Sequence, residues 1–267
     1  MKIGMLTSGG DCQSLNAAMR GVAKTLYNNS NDVEIYGFLD GYKGMITKNY
    51  KLMKEEDFSG ILTEGGTILG TSRTPFKYIN EPDEEGRDKV AGMIKTYKDL
   101  KLDCLVMLGG NGSHKTAALL SQKGLNVVTL PKTIDNDLCI TDHTPGYGSA
   151  AKYVASTLLE IGHDTSIYPI NSVTIVEIMG RDAGWLTGAS VLARNKYNHA
   201  PHLIYLPEVA FDEAQFIEDV REAIKKYNNV VIAVSEGIKN AEGKYISATS
   251  AVEDTFGPSQ LSGTGKC

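Results

Sequence analysis

The chain has 267 residues, 42% of them hydrophobic and 22% charged, a composition that supports a buried core in one large or two smaller domains and excludes a disordered or collagen-like chain. Its 27 Lys and Arg against 32 Asp and Glu give a net charge of -5. The two signs are interspersed, so there is no basic stripe of the kind that binds nucleic acid. No apolar run reaches the roughly 18 residues of a membrane span, and the Met1-Lys2-Ile3-Gly4 start lacks signal-peptide organisation. The four cysteines, Cys12, Cys104, Cys139 and Cys267, show no CxxC spacing. Together these features predict a cytoplasmic protein with reduced thiols, no structural metal, and neither a nucleic acid nor a membrane as partner.

In chain order, short β-rich runs are predicted at 2–6, 33–38, 104–108, 127–130, 173–178, 203–206 and 230–234, each ending in glycine, proline or polar residues. Between them lie helical patterns with one apolar face each: Leu15, Met19, Val22, Leu26; then Val90, Met93, Ile94, Tyr97; then Val154, Leu158, Ile161; then Phe216, Val220, Ala223, Tyr227. Strand followed by helix, repeated, is the signature of parallel α/β layers. A turn-rich stretch at 138–147 precedes a predicted helix starting near Ser149 and is the best candidate for a domain boundary. In such sheets ligands bind beyond the carboxyl ends of the strands. Functional residues are therefore expected just after each strand.

Gly9-Gly10-Asp11 after the first strand and Gly109-Gly110-Asn111-Gly112-Ser113 after the third each lead into a helix. Paired glycines let backbone N–H groups and a helix N-terminus approach a phosphate, and the same residues also fit a tight strand-to-helix turn. Two such loops in one chain favour a polyphosphate ligand. Thr133-Ile134-Asp135-Asn136-Asp137 places two carboxylates at i, i+2. If the segment stays extended they project to one side, which suits one Asp as general base and the other as a magnesium or orientation partner. The alternative is an acidic turn with Asn136 in the left-handed region. Arg181, in Met179-Gly180-Arg181-Asp182, and Arg73, after Gly65-Gly66-Thr67, are placed either to reach phosphoryl charge or to form structural pairs. Glu236, in Ser235-Glu236-Gly237, either accepts from sugar hydroxyls or caps the next segment. The five histidines show no paired ligand spacing, and Cys12 has no base partner in its vicinity, so it reads as inert.

Taken together, these motifs and their order resemble the phosphofructokinase family over essentially the whole chain, with Thr-Ile-Asp-Asn-Asp the most specific element. The resemblance implies two Rossmann-like α/β domains with mainly parallel sheets and the active site in the cleft between them: 1–140 binding the phosphoryl donor, 141–250 binding the sugar phosphate, and 251–267 starting a return segment. It implies 6-phosphofructokinase activity, transfer from ATP with Mg2+ to the 1-hydroxyl of fructose 6-phosphate. Asp135 would be the base, Asp137 would orient the site and its charge, Thr133 would contact the transferred group and Arg181 would stabilise it. Gly10, Tyr42, Arg73, Gly110, Asn111, Gly112, Ser113 and Lys132 would hold the donor. Thr133, Asp135, Asp137, Met179, Gly180, Arg181 and Glu236 would hold the sugar phosphate, and Asn111 (weakly), Asp135 and Asp137 the metal. A homo-oligomer, dimer or tetramer, is implied by family analogy.

Four departures set the rival readings. Asn111 stands where the family usually has an aspartate that helps hold magnesium. Lys132 is a residue seen in pyrophosphate-dependent members, whereas Gly112 replaces the aspartate those members commonly carry. Ser172 replaces a sugar-phosphate arginine, and the chain ends at Cys267 where members continue, so a fragment is expected. Pyrophosphate as donor is one alternative and a catalytically silent regulatory subunit another. A lipid or NAD kinase, which shares a glycine loop, is not expected to carry Thr-Ile-Asp-Asn-Asp.

Overall fold

A computed structural model describes residues 1–247; the predicted return segment at 251–267 lies outside the described residues. By its internal contacts the chain divides into two compact units, Met1–Thr133 and Ile134–Cys267. The division falls before the turn at 138–147, because that turn is tied to Asn136: the Asn136 side chain donates to the Asp142 carbonyl (3.2 Å) and accepts from the Thr144 N–H (2.8 Å).

The first unit contains β1 (Lys2–Thr7), α1 (Leu15–Asn29), β2 (Glu34–Phe38), α2 (Tyr42–Thr47), β3 (Tyr50–Met53), α3 (Lys89–Asp99), β4 (Cys104–Gly109), α4 (Asn111–Gln122) and β5 (Val127–Pro131). The sheet order is β3-β2-β1-β4-β5. All neighbours are parallel except β3, which runs antiparallel to β2. Every residue of β1 and β4 but the first is buried, as expected of central parallel strands covered on both faces. Leu6, Phe38, Leu105 and Met107 pack with Tyr42 and Met45 of α2, Met93 of α3 and Leu120 of α4. Burying each such side chain contributes about 1.5–3 kcal/mol. The α3 helix starts where the Asp88 carboxylate accepts from the Ala91 N–H (2.9 Å), a cap worth roughly 1 kcal/mol.

The second unit contains α5 (Tyr147–Ser166), β6 (Ser172–Ile178), α6 (Trp185–Ala189), β7 (Leu203–Tyr205), α7 (Glu213–Tyr227) and β8 (Asn229–Ser235). Its parallel sheet has the order β6-β8-β7, with every residue of central β8 buried. Val231, Ala233 and Ile178 pack with Ala150, Ala151 and Leu158 of α5. On the opposite face, Val230 and Ile232 pack with Ala223, Phe216 and Val220 of α7. The α7 N-terminus is capped by Asp212, which accepts from the Gln215 N–H (3.0 Å), and its last turn carries Lys225 and Lys226, charges that complement the helix dipole.

Candidate active site

In the first unit, the carboxyl ends of β1, β4 and β5 lie along one sheet edge: Thr7 pairs with Leu108, and Gly109 with Pro131. The loop after β1 is sewn to the segment at 64–75. Gly9 N–H bonds the Ser72 carbonyl (3.2 Å), the Thr71 hydroxyl bonds the Gly9 carbonyl (2.8 Å), and the Thr7 hydroxyl bonds the Gly70 carbonyl (2.7 Å). That segment is held in turn by Asn16 of α1, which is 1% exposed. Its amide donates to the carbonyls of Glu64 (3.1 Å) and Gly65 (3.3 Å), and its oxygen accepts from the Ile68 N–H (2.8 Å). No motif in the sequence marks Asn16 or Thr71, because each acts on a segment about 50–60 residues distant, a separation that shows no local period.

Two cations converge on this loop. Gly10 makes room for the Arg73 guanidinium, since a Cβ there would lie 3.1 Å from a terminal nitrogen of Arg73. The Lys132 ammonium, largely buried, donates to the Gly10 carbonyl. Gly110 begins α4, with its carbonyl accepting from Ser113 N–H (2.9 Å) and His114 N–H (3.2 Å). Ser113 is buried beneath Gly109, whereas Asn111 and Gly112 are exposed, and a Cβ at Gly112 would meet nothing within 4 Å. Tyr42, which the resemblance assigns to the donor site, is 1% exposed. Its buried hydroxyl faces those of Ser113, Ser8 and Thr116; burial pushes its pKa up and these hydroxyls pull the other way. Tyr42 therefore braces both glycine loops from below.

Beyond Arg73 the first unit holds a cavity of about 390 Å³, lined among others by Lys43, Ser72, Pro75, Tyr78 and Arg87. Lys43, Tyr78 and Arg87 are not legible as site residues in the sequence, since none belongs to a loop motif. Asp83 and Glu85 hold Arg87 at its rim (2.7 and 2.9 Å).

In the second unit, the segment carrying Asp135 and Asp137 does not stay extended. Asn136 takes φ +57°, so strand alternation does not set the two carboxylates side by side, and the left-handed turn is the reading that holds. One oxygen of Asp135 is buried, while Asp137 is exposed. Thr133 is half-buried at the end of the first unit.

The loop after β6 brings Met179, Gly180 and Arg181 against the end of β8. Gly180 N–H donates to the Glu236 carboxylate (3.2 Å), the Ser235 hydroxyl donates to the Gly180 carbonyl (2.7 Å), and Glu236 N–H bonds the Ile178 carbonyl (3.0 Å). Gly180 has φ +121°, and a Cβ there would come 2.5 Å from the Ala183 carbonyl. Gly237 sits so close to the Arg181 carbonyl that no side chain fits. Further along, Gly184 N–H donates to Glu208 (2.7 Å). Met179 is exposed, and Arg181 makes no ion pair or side-chain hydrogen bond among the described residues. Asp182 accepts from the Lys239 ammonium (2.6 Å) and the Tyr245 hydroxyl (2.9 Å). Partial burial opposes its ionisation, but these hydrogen bonds and the charges of Lys239 and Arg181 outweigh that and hold its carboxyl below the usual range.

Among the described residues no group of three or more His, Cys, Asp and Glu side chains is arranged to hold a metal, and no helix is long and apolar enough to cross a membrane.

Glycine loops, cations and carboxylates gathered after parallel strands are the build of an α/β protein suited to phosphorylated ligands. The chain belongs to the phosphofructokinase family, whose sequence pattern matches residues 2–262. It is 44% identical over 248 residues to an ATP-dependent 6-phosphofructokinase of Spirochaeta thermophila, covering 91% of this chain and 66% of the relative. It is 37% identical over 254 residues to ATP-dependent 6-phosphofructokinase 3 of Bacteroides thetaiotaomicron, covering 92% and 72%. Among solved structures, the pyrophosphate-dependent phosphofructokinase of Nitrosospira multiformis superposes with a TM-score of 0.79 at 28% identity, covering 91% of this chain and 62% of that one. The chain thus spans about two thirds of the length of proteins it matches.

Proposed function

We propose that this chain carries the phosphoryl-transfer residues of a 6-phosphofructokinase that moves the γ-phosphoryl group of ATP to the 1-hydroxyl of fructose 6-phosphate. The observation that carries ATP as donor is the cavity of about 390 Å³ beyond Arg73, of a size suited to a nucleoside, together with the open space at Gly112. The family membership and the names of the two relatives support the same reading.

In this reading Gly10, Gly110, Gly112 and Ser113 offer backbone and hydroxyl donors to the phosphates, with Asn111 beside them, Tyr42 bracing the loops, and Arg73 and Lys132 supplying positive charge. Asp135 takes the proton of the 1-hydroxyl as its oxygen bonds to phosphorus; the bond to the bridging oxygen breaks and ADP leaves. Thr133 and Arg181 meet the transferred group, and Arg181 offsets its charge. Asp137 orients the site, while Met179, Gly180 and Glu236 hold the sugar. Phosphoryl transfer depends mainly on positioning and electrostatics, which suits a site with no covalent nucleophile assigned. Magnesium binds through one or two carboxylates plus substrate phosphates rather than an all-protein cage. In this reading the carboxylates of Asp135 and Asp137, with weak help from the Asn111 amide, would be its protein ligands, and the ion would neutralise phosphate charge. The domain roles, donor on 1–140 and sugar phosphate on 141–250, a homo-oligomeric dimer or tetramer, and a cytoplasmic location belong to the same proposal by family analogy.

One observation favours a second reading. The Lys132 ammonium sits at the Gly10 carbonyl, inside the phosphate cradle, where it also suits pyrophosphate. A coupled assay of fructose 1,6-bisphosphate formation with ATP and with pyrophosphate separates the two. ATP is expected to give the higher kcat/KM, and absence of turnover with either donor would support a silent subunit instead.

A further inference from the structure

Arg181 is followed directly by a carboxylate, Asp182, whose ionisation the Arg181 charge favours. Carboxylates and phosphoryl groups both form charge-assisted, bidentate hydrogen bonds with a guanidinium, so a neighbouring carboxylate is a competitor for it. Here the competitor is engaged elsewhere. The segment after β8 folds back so that Lys239 and Tyr245 face each other across an antiparallel bridge, closed by the hydrogen bonds of Asn240 N–H to the Lys244 carbonyl (2.9 Å) and Gly243 N–H to the Asn240 carbonyl (2.9 Å). From this hairpin the Lys239 ammonium and the Tyr245 hydroxyl both reach the same oxygen of Asp182, and the ammonium also lies 4.6 Å from the centre of the Tyr245 ring. Gly237, at the foot of the hairpin, abuts the Arg181 carbonyl. The hairpin is therefore in contact with the Arg181 backbone and with the neighbouring carboxylate, while leaving the guanidinium without a side-chain partner among the described residues.

We propose that Lys239 and Tyr245 are positioning residues for phosphoryl transfer: by occupying Asp182 they withhold its carboxylate from Arg181 and keep the Arg181 guanidinium available to substrate. This rests on the role of Arg181 in the proposed function, and it adds a function for two side chains, Lys239 and Tyr245, that no glycine or carboxylate motif includes. The Asp182 side chain is 66% exposed, so the contact is a surface ion pair of small worth to stability. Its removal is expected to leave the fold intact and to change what Arg181 can meet.

The test compares wild type, Lys239→Met, Asp182→Asn and the double variant in the full chain. Arginine labelling by phenylglyoxal, followed at Arg181 by peptide mass analysis, reads guanidinium availability without requiring turnover. Lys239→Met frees Asp182 to pair with Arg181 and should slow labelling about two- to fivefold, the range of an exposed ion pair. Asp182→Asn in the same background removes the competitor and should restore the wild-type rate. kcat should follow the same pattern of loss and rescue, with donor KM unchanged. Tyr245→Phe should show the smaller loss. Unchanged labelling in Lys239→Met, or a double variant no better than the single one, would overturn the proposal, because Asp182 would then have no say in what the Arg181 guanidinium meets. If labelling behaves as expected but Arg181→Ala keeps its kcat, the clamp stands and the catalytic role of Arg181 falls.

Discussion

In the first unit the loops after β1 and β4 are held through their own main-chain groups: Gly9 N–H to the Ser72 carbonyl, the Gly9 and Gly10 carbonyls to the Thr71 hydroxyl and the Lys132 ammonium, and the Gly110 carbonyl to the first turn of α4. In the second, the loop after β6 is fixed by side chains from later in the chain: Ser235, Glu236, Glu208, and Lys239 with Tyr245. A cradle of backbone donors suits a ligand recognised by its phosphates, since every residue type presents the same N–H. A loop ending in Asp135 or Arg181 chemistry needs particular side chains held at particular angles. Substitutions in the second unit should therefore strike turnover, and those in the first should strike stability or the choice of donor.

The sharpest test of that contrast is Asp135→Asn. Amide for carboxylate keeps shape and removes the base, so turnover should fall by a factor on the order of 10²–10⁴ with donor KM nearly unchanged. Steady-state kinetics at saturating donor, beside a melting curve matching wild type, would establish it. Near-normal kcat in the Asn variant would remove Asp135 from the chemistry and leave the contrast without its strongest member.

In the first unit the largest effect should come from a residue that touches no ligand. Asn16→Ala leaves two carbonyls and the Ile68 N–H of the 64–75 segment without their partner. Unmet buried polar groups of this kind cost about 2–4 kcal/mol together, which for a chain of this size lowers Tm by roughly 5–10 °C. Calorimetry reads the Tm, and kinetics should show a raised donor KM with kcat at saturation retained. A Tm within about 1 °C of wild type would mean the segment is held by its backbone bonds alone.

The difference between the units also explains what is legible in the sequence. All seven predicted strands and the four helices with regular apolar spacing are present, because a β-rich run ended by glycine, proline or polar residues and a helix of three turns or more with one apolar face each leave a local signal in the chain. Tyr50–Met53 has no counterpart among the predicted strands: four residues on a sheet edge, two of them exposed, carry no such signal. The short helices Tyr42–Thr47 and Trp185–Ala189 escape prediction for the same reason of length. The glycine loops are legible because glycine is demanded by the backbone itself. The bond from Asn16 to Ile68 and those from Lys239 and Tyr245 to Asp182 join residues 52, 57 and 63 positions apart. They arise from the fold and from nothing nearby in the chain. The i, i+2 carboxylates show the converse, a local pattern that suits an extended chain and is broken by the positive φ of Asn136.

Donor choice gives the smallest expected effect and the most direct comparison of the two phosphate readings. Gly112 is the second residue of α4, with a Cβ position in open space, so Gly112→Asp meets no steric barrier. A carboxylate in the first turn of a helix is, if anything, favourable by about 0.3–1 kcal/mol. The variant should therefore fold as well as wild type, and any change in donor use reports on the ligand. By the family resemblance this position flanks the α-phosphate of a nucleotide, where a new negative charge and side chain oppose ATP. A penalty of about 1.4–2.7 kcal/mol, roughly 10- to 100-fold in kcat/KM, should fall on ATP, while the shorter pyrophosphate escapes most of it. Lys132→Gly acts from the other side by removing the ammonium at the Gly10 carbonyl, and it should reduce use of pyrophosphate more than use of ATP. Measuring kcat/KM for both donors in wild type and both variants places the preference on one scale. If wild type already uses pyrophosphate far better than ATP, or if Gly112→Asp lowers both donors equally, the open space at Gly112 is not a nucleotide feature and Lys132 defines the donor.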